Sequence, residues 1–333
     1  MIRTAWDWRP AASLAALRRR AELLAQIRAF FAERGALEVE TPILSGTAIT
    51  DPNLSSFVTR SEGPELSPSL APDLCPALSQ SGPLYLHTSP EFPMKRLLAA
   101  GSGPIFQICK VFRNGEAGRL HNPEFTMLEW YRPGLDHYAL MAEVDELLQR
   151  VLGTEGAEYL SYTQAFLRYL GVDPLSAARA ELMACARCCS IEPPAGLSRD
   201  ALLDLLLSHL VQPNLGEQRP LFLYDYPASQ AALARSRGPV AERFELFLHG
   251  IELANGFHEL SDAAEQRRRF EEELDRRREI GLPAVPPDER LLAALEAGLP
   301  DCAGVALGLD RLLMIACNAR ALDEVLAFPI GRA

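Results

Sequence analysis

The chain has 333 residues, 48% hydrophobic and 23% charged, with a formal net charge of −11. That length and balance permit one large core and exclude a disordered chain, and the acidic surplus weighs against a general nucleic-acid binder, whose phosphate contacts need an excess of Lys and Arg. Seven scattered cysteines, no leader-like apolar stretch between Met1 and Pro10, and no membrane-length run free of charges point to the reducing cytoplasm and away from a secreted or membrane-embedded chain.

Residues 13–34 read as an amphipathic helix: Leu14, Leu17, Ala21, Leu24 and Ile27 recur at helical spacing, with Ser13 as its cap and Gly35 as its stop. Alternation over Leu37, Val39 and Thr41 predicts a short strand stopped by Pro42. Residues 61–83, rich in Ser, Pro and Leu, read as a surface insertion. Residues 104–113 and 123–132 read as two strands joined by a polar loop, and 136–152 as a helix capped by Asp136. Helices broken by prolines occupy 161–212. Within them Cys185, Cys188 and Cys189 lack a completing ligand for a tetrahedral metal and read as small buried thiols on one side of a helix. The Glu/Arg-dense run at 262–280 reads as a solvated helix held by i,i+4 pairs. Residues 303–308 form a small-residue strand leading into a helix from about Asp310. No repeat or linker divides the chain, and one α+β domain around a largely antiparallel sheet is the simplest architecture.

No phosphate-binding GxxxxGK[ST], strand-GxGxxG-helix, HExxH or GxSxG segment is present. On the strand through Glu124–Tyr131, the residues Phe125, Met127, Glu129 and Tyr131 share one face. A carboxylate among aromatics there needs a cation, either a neighbouring Arg or a ligand ammonium held by Glu129, the Tyr131 hydroxyl and the ring faces. Arg113, beside a loop of Asn114, Gly115, Glu116, Gly118, His121 and Asn122, is either solvated or a fork for phosphate or carboxylate. Glu252 and Glu259, flanking Asn255-Gly256, are either surface acids or a Mg²⁺ pair. Gly304 to Arg311 offers close helix–strand packing, or room for a flat ligand with Arg311 facing its phosphates.

These segments occur together and in order. Arg34-Gly35-Ala36-Leu37-Glu38-Val39-Glu40-Thr41-Pro42 resembles the first motif of class II aminoacyl-tRNA synthetases, which ends in a proline at the dimer interface. Phe112-Arg113-Asn114 with His121-Asn122-Pro123-Glu124-Phe125 resembles the second motif, and Gly304 to Arg311 the third. Thr88-Ser89-Pro90-Glu91, Glu129-Trp130-Tyr131 and Glu252 to Leu260 extend the likeness over nearly the whole chain. It is nearest to the lysyl enzymes, and within them to truncated paralogues that attach (R)-β-lysine to a lysine of elongation factor P.

The resemblance implies the class II catalytic fold, α+β with a mainly antiparallel sheet flanked by helices. It would span residues 1–333 as one domain, with insertions at 61–83 and 161–212. It also implies ATP and Mg²⁺, a homodimer, elongation factor P as acceptor and, with no room for an anticodon-binding barrel before the first motif, no tRNA partner. In the family's terms Arg113 grips the α-phosphate and the substrate carboxylate. Phe125 stacks on adenine, with Arg311 on its other face or on the γ-phosphate. Asn114, Gly115, Asn122, Leu253 and Gly308 complete the ATP site, and Glu252 holds Mg²⁺ with ATP. Glu91, on the loop with Ser89, meets the amino group near the reacting carboxylate, while Tyr131, Glu259 and Glu129 meet the distal ammonium and Asn255 reaches the carboxylate. Ala306 stands where enzymes for α-lysine carry glycine, so its methyl would alter the pocket floor. One departure is Gly115, where the second motif usually has the glutamate that reads adenine. Here Glu116 follows it, so either the loop shifts by one residue or a backbone group does the reading. The competing functions are a tRNA-charging lysyl enzyme and a non-catalytic amino-acid-binding regulator.

Overall fold

A computed structural model describes residues 8–60 and 83–333. The insertion expected at 61–83 lies outside the described residues except for Pro83. In chain order the regular elements are α1 (Leu14–Glu33), β1 (Leu37–Glu38), β2 (Leu44–Ser45), β3 (Val58–Thr59), β4 (Leu84–Leu86), α2 (Glu91–Ala99), β5 (Ile105–Phe112), β6 (Glu124–Pro133) and α3 (His137–Leu152). They continue with β7 (Glu158–Ser161), α4 (Tyr162–Leu170), α5 (Arg179–Cys188), α6 (Arg199–Leu206), β8 (Leu221–Pro227), β9 (Ser236–Arg237), β10 (Val240–Leu248), β11 (Ile251–His258), α7 (Ala263–Glu279), α8 (Glu289–Gly298), β12 (Cys302–Gly308) and α9 (Leu309–Ala316).

The main sheet runs β1-β5-β6-β12-β11-β10-β8-β7, with β9 beside β10. Only the pairs β1–β5 and β7–β8 are parallel, so its centre is antiparallel, as expected. Antiparallel strands alternate their faces. Leu128 and Trp130 of β6, Ala303, Val305 and Leu307 of β12, and Phe244 and Leu246 of β10 join one buried cluster with α1, α3 and α9. The neighbours in between, Met127, Glu129, Tyr131, Gly304 and Ala306, face away from those helices and line a cavity. The helices thus build a rigid back wall, and the sheet presents its polar face to whatever binds.

Local signals account for most boundaries. The Ser13 side chain accepts from Ala16 N at 3.1 Å and Asp136 from Ala139 N at 2.8 Å, capping α1 and α3. Gly35 follows α1 with φ +65°, which a residue with a Cβ adopts only at a cost. Asp310 holds two elements together: it accepts from the Thr126 amide at 2.7 Å and pairs with Arg20, tying α9 to β6 and α1.

Three expectations change. The first strand pairs only through Leu37 and Glu38, because after Val39 N donates to Phe106 O at 2.9 Å the chain leaves the sheet. The α5 thiols are not all buried: Leu182 and Ala186 face the core, Cys185 is half-buried, and Cys188 and Cys189 are exposed where the helix ends. The helix at 262–280 is solvated on its outer side alone, where Arg268 pairs with Glu272 one turn on. Its inner side buries Gln266, Phe270 and Arg277, and Glu273 there accepts from the Thr50 hydroxyl at 2.5 Å.

Candidate active site

Two adjoining cavities of about 420 and 330 Å³ lie on the polar face of the sheet. Arg113, Met127, Asn255 and Ala306 belong to the walls of both, so they form the junction between the chambers. The register explains the grouping. Ala306 lies directly across from Glu129 on one side and from Asn255 on the other, and directly opposed residues of antiparallel strands point to the same face.

The larger chamber is an acidic pocket. Glu129 is 2% exposed and accepts from the Ser89 hydroxyl and from the Tyr131 hydroxyl, both at 2.7 Å. Ser89 Oγ also accepts from the Glu91 amide at 3.0 Å, so one hydroxyl links two acidic residues. Glu259, equally buried, meets Lys95 Nζ at 2.7 Å, and the same ammonium meets Glu91 at 2.5 Å. Burial raises the Glu129 carboxyl to about 8; the Glu91 charge adds to this, and the Tyr131 and Ser89 hydrogen bonds oppose it. Glu259 is raised to about 7 by burial, against the pull of Lys95. Burial works against the charge on Lys95, yet Glu259 and Glu91 hold it above the usual lysine range. Gly304 forms the floor, where an added Cβ would fall 2.3 Å from the Tyr131 ring and 2.5 Å from Glu259 Oε1. A group of carboxylates converging on a cavity with an aromatic wall is suited to a cationic ligand.

The smaller chamber suits a nucleotide. Phe125, Asn122, Leu253, Gly308 and Arg311 line it. The Arg113 guanidinium lies 5.2 Å from the Phe125 ring centre, and its buried Nε has no partner. Arg311 now donates to Glu252 O at 2.8 Å and to Leu120 O at 3.2 Å, closing the far end of the chamber. Asn122 donates to Glu124 O at 2.6 Å and accepts from Ile330 N at 3.0 Å, so it braces the wall. Asn114 and Gly115 do not line either cavity. The Asn114 amide goes to Ser55 O at 2.8 Å, Gly115 turns with φ +88°, and Glu116 takes the wall position, 3.9 Å from Arg113.

The structure does not bring Glu252 and Glu259 together as a cation pair. Seven residues of near-extended chain carry Glu259 roughly 20 Å along β11, into the other chamber, where Lys95 occupies its carboxylate. The carboxylate that feels the Glu252 charge is Glu245 of β10, which Arg243 also holds. Strict alternation from Asn255 would turn Glu252 to the opposite face. The ladder instead steps from Leu246↔Ala254 to Phe247↔Glu252, leaving Leu253 as an extra residue, and this bulge re-aims Glu252 into the nucleotide chamber. Burial raises the Glu245 carboxyl, Arg243 opposes, and the Glu252 charge adds to it. Asn255 Nδ2 donates to Glu245 at 3.3 Å, and Asn255 Oδ1 is buried with no partner. Two carboxylates and an orphaned amide oxygen are the oxygen set a hard cation such as Mg²⁺ takes.

Sequence reasoning missed Lys95, Glu245 and Arg243. Lys95 follows Glu91 by four residues on α2, a spacing that places them on one helix face and was open to reading. Glu245 had no such local signal.

The family profile described as tRNA synthetases class II (D, K and N) matches residues 3–332. The chain is 54% identical over 332 residues to a protein of Edwardsiella ictaluri (strain 93-146), and 54% identical over 332 residues to one of Proteus mirabilis (strain HI4320). Both carry the name elongation factor P--(R)-beta-lysine ligase, and each match covers 98% of both chains.

Proposed function

Because this chain belongs to the class II tRNA synthetase family of the D, K and N type, we propose that it is an ATP-dependent ligase. In this reading it activates (R)-β-lysine and transfers it to a lysine side chain of elongation factor P. The observation that carries the reading is the position of Arg113, on the shared wall between an acidic diamine pocket and a nucleotide chamber.

The amino acid enters the larger chamber with its two ammonium groups among Glu91, Glu129, Glu259 and the Tyr131 hydroxyl. Its carboxylate is then directed towards Arg113 and Asn255 at the junction. Adenine lies against Phe125, and Glu116 takes the place of the usual motif glutamate through a one-residue shift of the loop. A carboxylate oxygen attacks the α-phosphorus, the bond to the β-phosphate oxygen breaks, and pyrophosphate leaves. Arg113 and Arg311 hold the charge that develops there, since phosphoryl-type transfer depends on positioning and charge stabilisation. Mg²⁺, which Glu245 and Glu252 would hold, would supply further charge neutralisation for the triphosphate. In the second step the neutral amine of the acceptor lysine attacks the adenylate carbonyl, AMP leaves, and an amide remains.

The chain acts as one class II catalytic domain, with the helices α4–α6 as an insertion. It works as a cytoplasmic homodimer: Leu37, Leu44 and Val58, in or near the first motif, are 57%, 48% and 62% exposed, apolar surface that a second copy would cover. A protein acceptor also accords with the net charge of −11. Among the described residues no helix is long and apolar enough to cross a membrane. The test is incubation with ATP, (R)-β-lysine and either elongation factor P or tRNA-Lys. The reading expects a mass increase of one β-lysyl group on elongation factor P and no efficient charging of tRNA; robust tRNA charging would reverse the assignment.

A further inference from the structure

Behind the sheet face that carries the acidic pocket lies a second group of side chains, which the ligase reading does not use. His137 opens α3, Glu242 stands on β10 and His258 ends β11; all three are buried. One ring nitrogen of each histidine and one carboxylate oxygen lie within 4.8 Å of one another. Among the described residues no other three His, Cys, Asp or Glu side chains meet in this way.

A satisfied core histidine is the ordinary explanation for such a residue, and it fits His258, whose Nδ1 meets Glu242 Oε2 at 2.6 Å and whose Nε2 meets Asp301 Oδ1 at 3.0 Å. It does not fit His137. That side chain is 1% exposed, and neither Nδ1 nor Nε2 has a hydrogen-bond partner. The nearest acid, Asp225, stays 3.6 Å from Nε2, and its own Oδ1 is buried and unpartnered. Imidazole nitrogens that have given up water without a replacement cost free energy, and a metal ion recovers it.

We propose that His137, Glu242 and His258 form a binding site for a divalent ion of the zinc type, distinct from the Mg²⁺ position. Two imidazoles and one carboxylate are a donor set that zinc accepts, with the fourth position left to water or Asp225. His258 would bind through Nδ1 and keep its Nε2–H on Asp301, the carboxylate–histidine arrangement that fixes a ligand's tautomer. The ion would replace the proton now shared by His258 Nδ1 and Glu242 Oε2, which leaves to solvent. His258 directly precedes Glu259, so the ion would tie the end of β11, and with it the floor of the acidic pocket, to the start of α3.

The test uses the full chain with Cys185→Ser, Cys188→Ser and Cys189→Ser, so that the clustered α5 thiols cannot take the metal. Stoichiometric Co²⁺ is expected to give visible d–d absorption without a sulfur charge-transfer band, and Zn²⁺ to abolish that absorption. A hundredfold excess of Zn²⁺ over its dissociation constant is expected to raise the melting temperature by roughly 3 °C or more. His137→Phe, which keeps a flat aromatic ring but offers no donor atom, is expected to lose both effects with little change in metal-free melting. His137→Cys is expected to restore Co²⁺ binding and to add the sulfur band. No absorption and no melting shift with either metal overturns the proposal, as does a Co²⁺ spectrum that survives His137→Phe.

Discussion

Lys95 Nζ lies 2.7 Å from Glu259 Oε2, and both side chains are about 2% exposed. The same ammonium reaches Glu91, so one internal cation serves two members of the trio Glu91, Glu129 and Glu259. With that trio and Lys95 ionised, these four groups carry a net charge of −2, which matches the two ammonium groups of a lysine isomer. Removing one member of a buried ion network leaves the others desolvated and unpaired, which costs about 3–5 kcal/mol. Lys95→Met is therefore expected to destabilise the chain by about that amount in urea denaturation. Adding Glu259→Gln is expected to return part of the loss, because the second change removes the stranded charge. Strictly additive losses in that double-mutant cycle would show that Lys95 and Glu259 are not energetically coupled.

The pocket also makes a prediction about pH. Burial, with Glu91, lifts Glu129 from 4.5 to about 8, and burial lifts Glu259 to about 7. The folded, ligand-free chain therefore holds protons that the unfolded chain has already released. The stability these groups contribute is complete below about pH 4.5 and is lost as pH rises towards 8. A dicationic substrate favours the ionised carboxylates and should expel roughly one proton on binding at pH 7. Calorimetric titration with (R)-β-lysine in two buffers of different ionisation enthalpy checks this. Binding heats that do not depend on the buffer would mean that Glu129 is already ionised in the empty pocket.

For Mg²⁺, Glu245→Gln and Glu252→Gln are each expected to raise the Mg²⁺ concentration needed for half-maximal pyrophosphate exchange by tenfold or more, about 1.4 kcal/mol. Glu259→Gln is expected to act on the amino-acid KM and to leave the Mg²⁺ dependence unchanged. The separation follows from the bulge at Leu253, which turns Glu252 into the nucleotide chamber, while the extended strand carries Glu259 into the other chamber. A shifted Mg²⁺ requirement in Glu259→Gln would return that residue to the metal site.

This pair shows where the sequence could be read and where it could not. Period-two alternation put Glu129 and Tyr131 on one face of β6, and the hydrogen bond between them follows from that spacing. The order of the motifs located Arg113, Phe125 and Arg311. Glu252 and Glu259 are close in sequence and looked like a pair, but an extended strand turns seven residues into a long separation. Lys95 could be paired with Glu91 by helical spacing, yet its contact with Glu259 arises only when α2 packs against the end of β11. Cys188 and Cys189 share a helix side with Cys185, but α5 ends before the core covers them.

The last prediction concerns the floor of the acidic pocket, Gly304 and Ala306, which follow each other on the same face of β12. At Gly304 a methyl would fall inside the contact distance of the Tyr131 ring and Glu259. Neither neighbour is free to yield, since Tyr131 is held by Glu129 and Glu259 by Lys95. Overpacking of this kind typically costs 1–3 kcal/mol, so Gly304→Ala is expected to lose stability and amino-acid binding together. Ala306 lies between Glu129 and Asn255, and its methyl rises from the floor between that carboxylate and the junction side chain. A substrate whose amino group sits one carbon farther from the carboxylate crosses that floor on a different path. One methyl in a pocket is worth about 1–3 kcal/mol of discrimination. Ala306→Gly is therefore expected to raise α-lysine activation relative to β-lysine by about tenfold, with little effect on folding. Pyrophosphate exchange with each isomer on both proteins measures the ratio. An unchanged ratio would move the choice of isomer elsewhere, with Ser89 first, because its hydroxyl joins Glu129 to the Glu91 amide at the reacting end of the pocket.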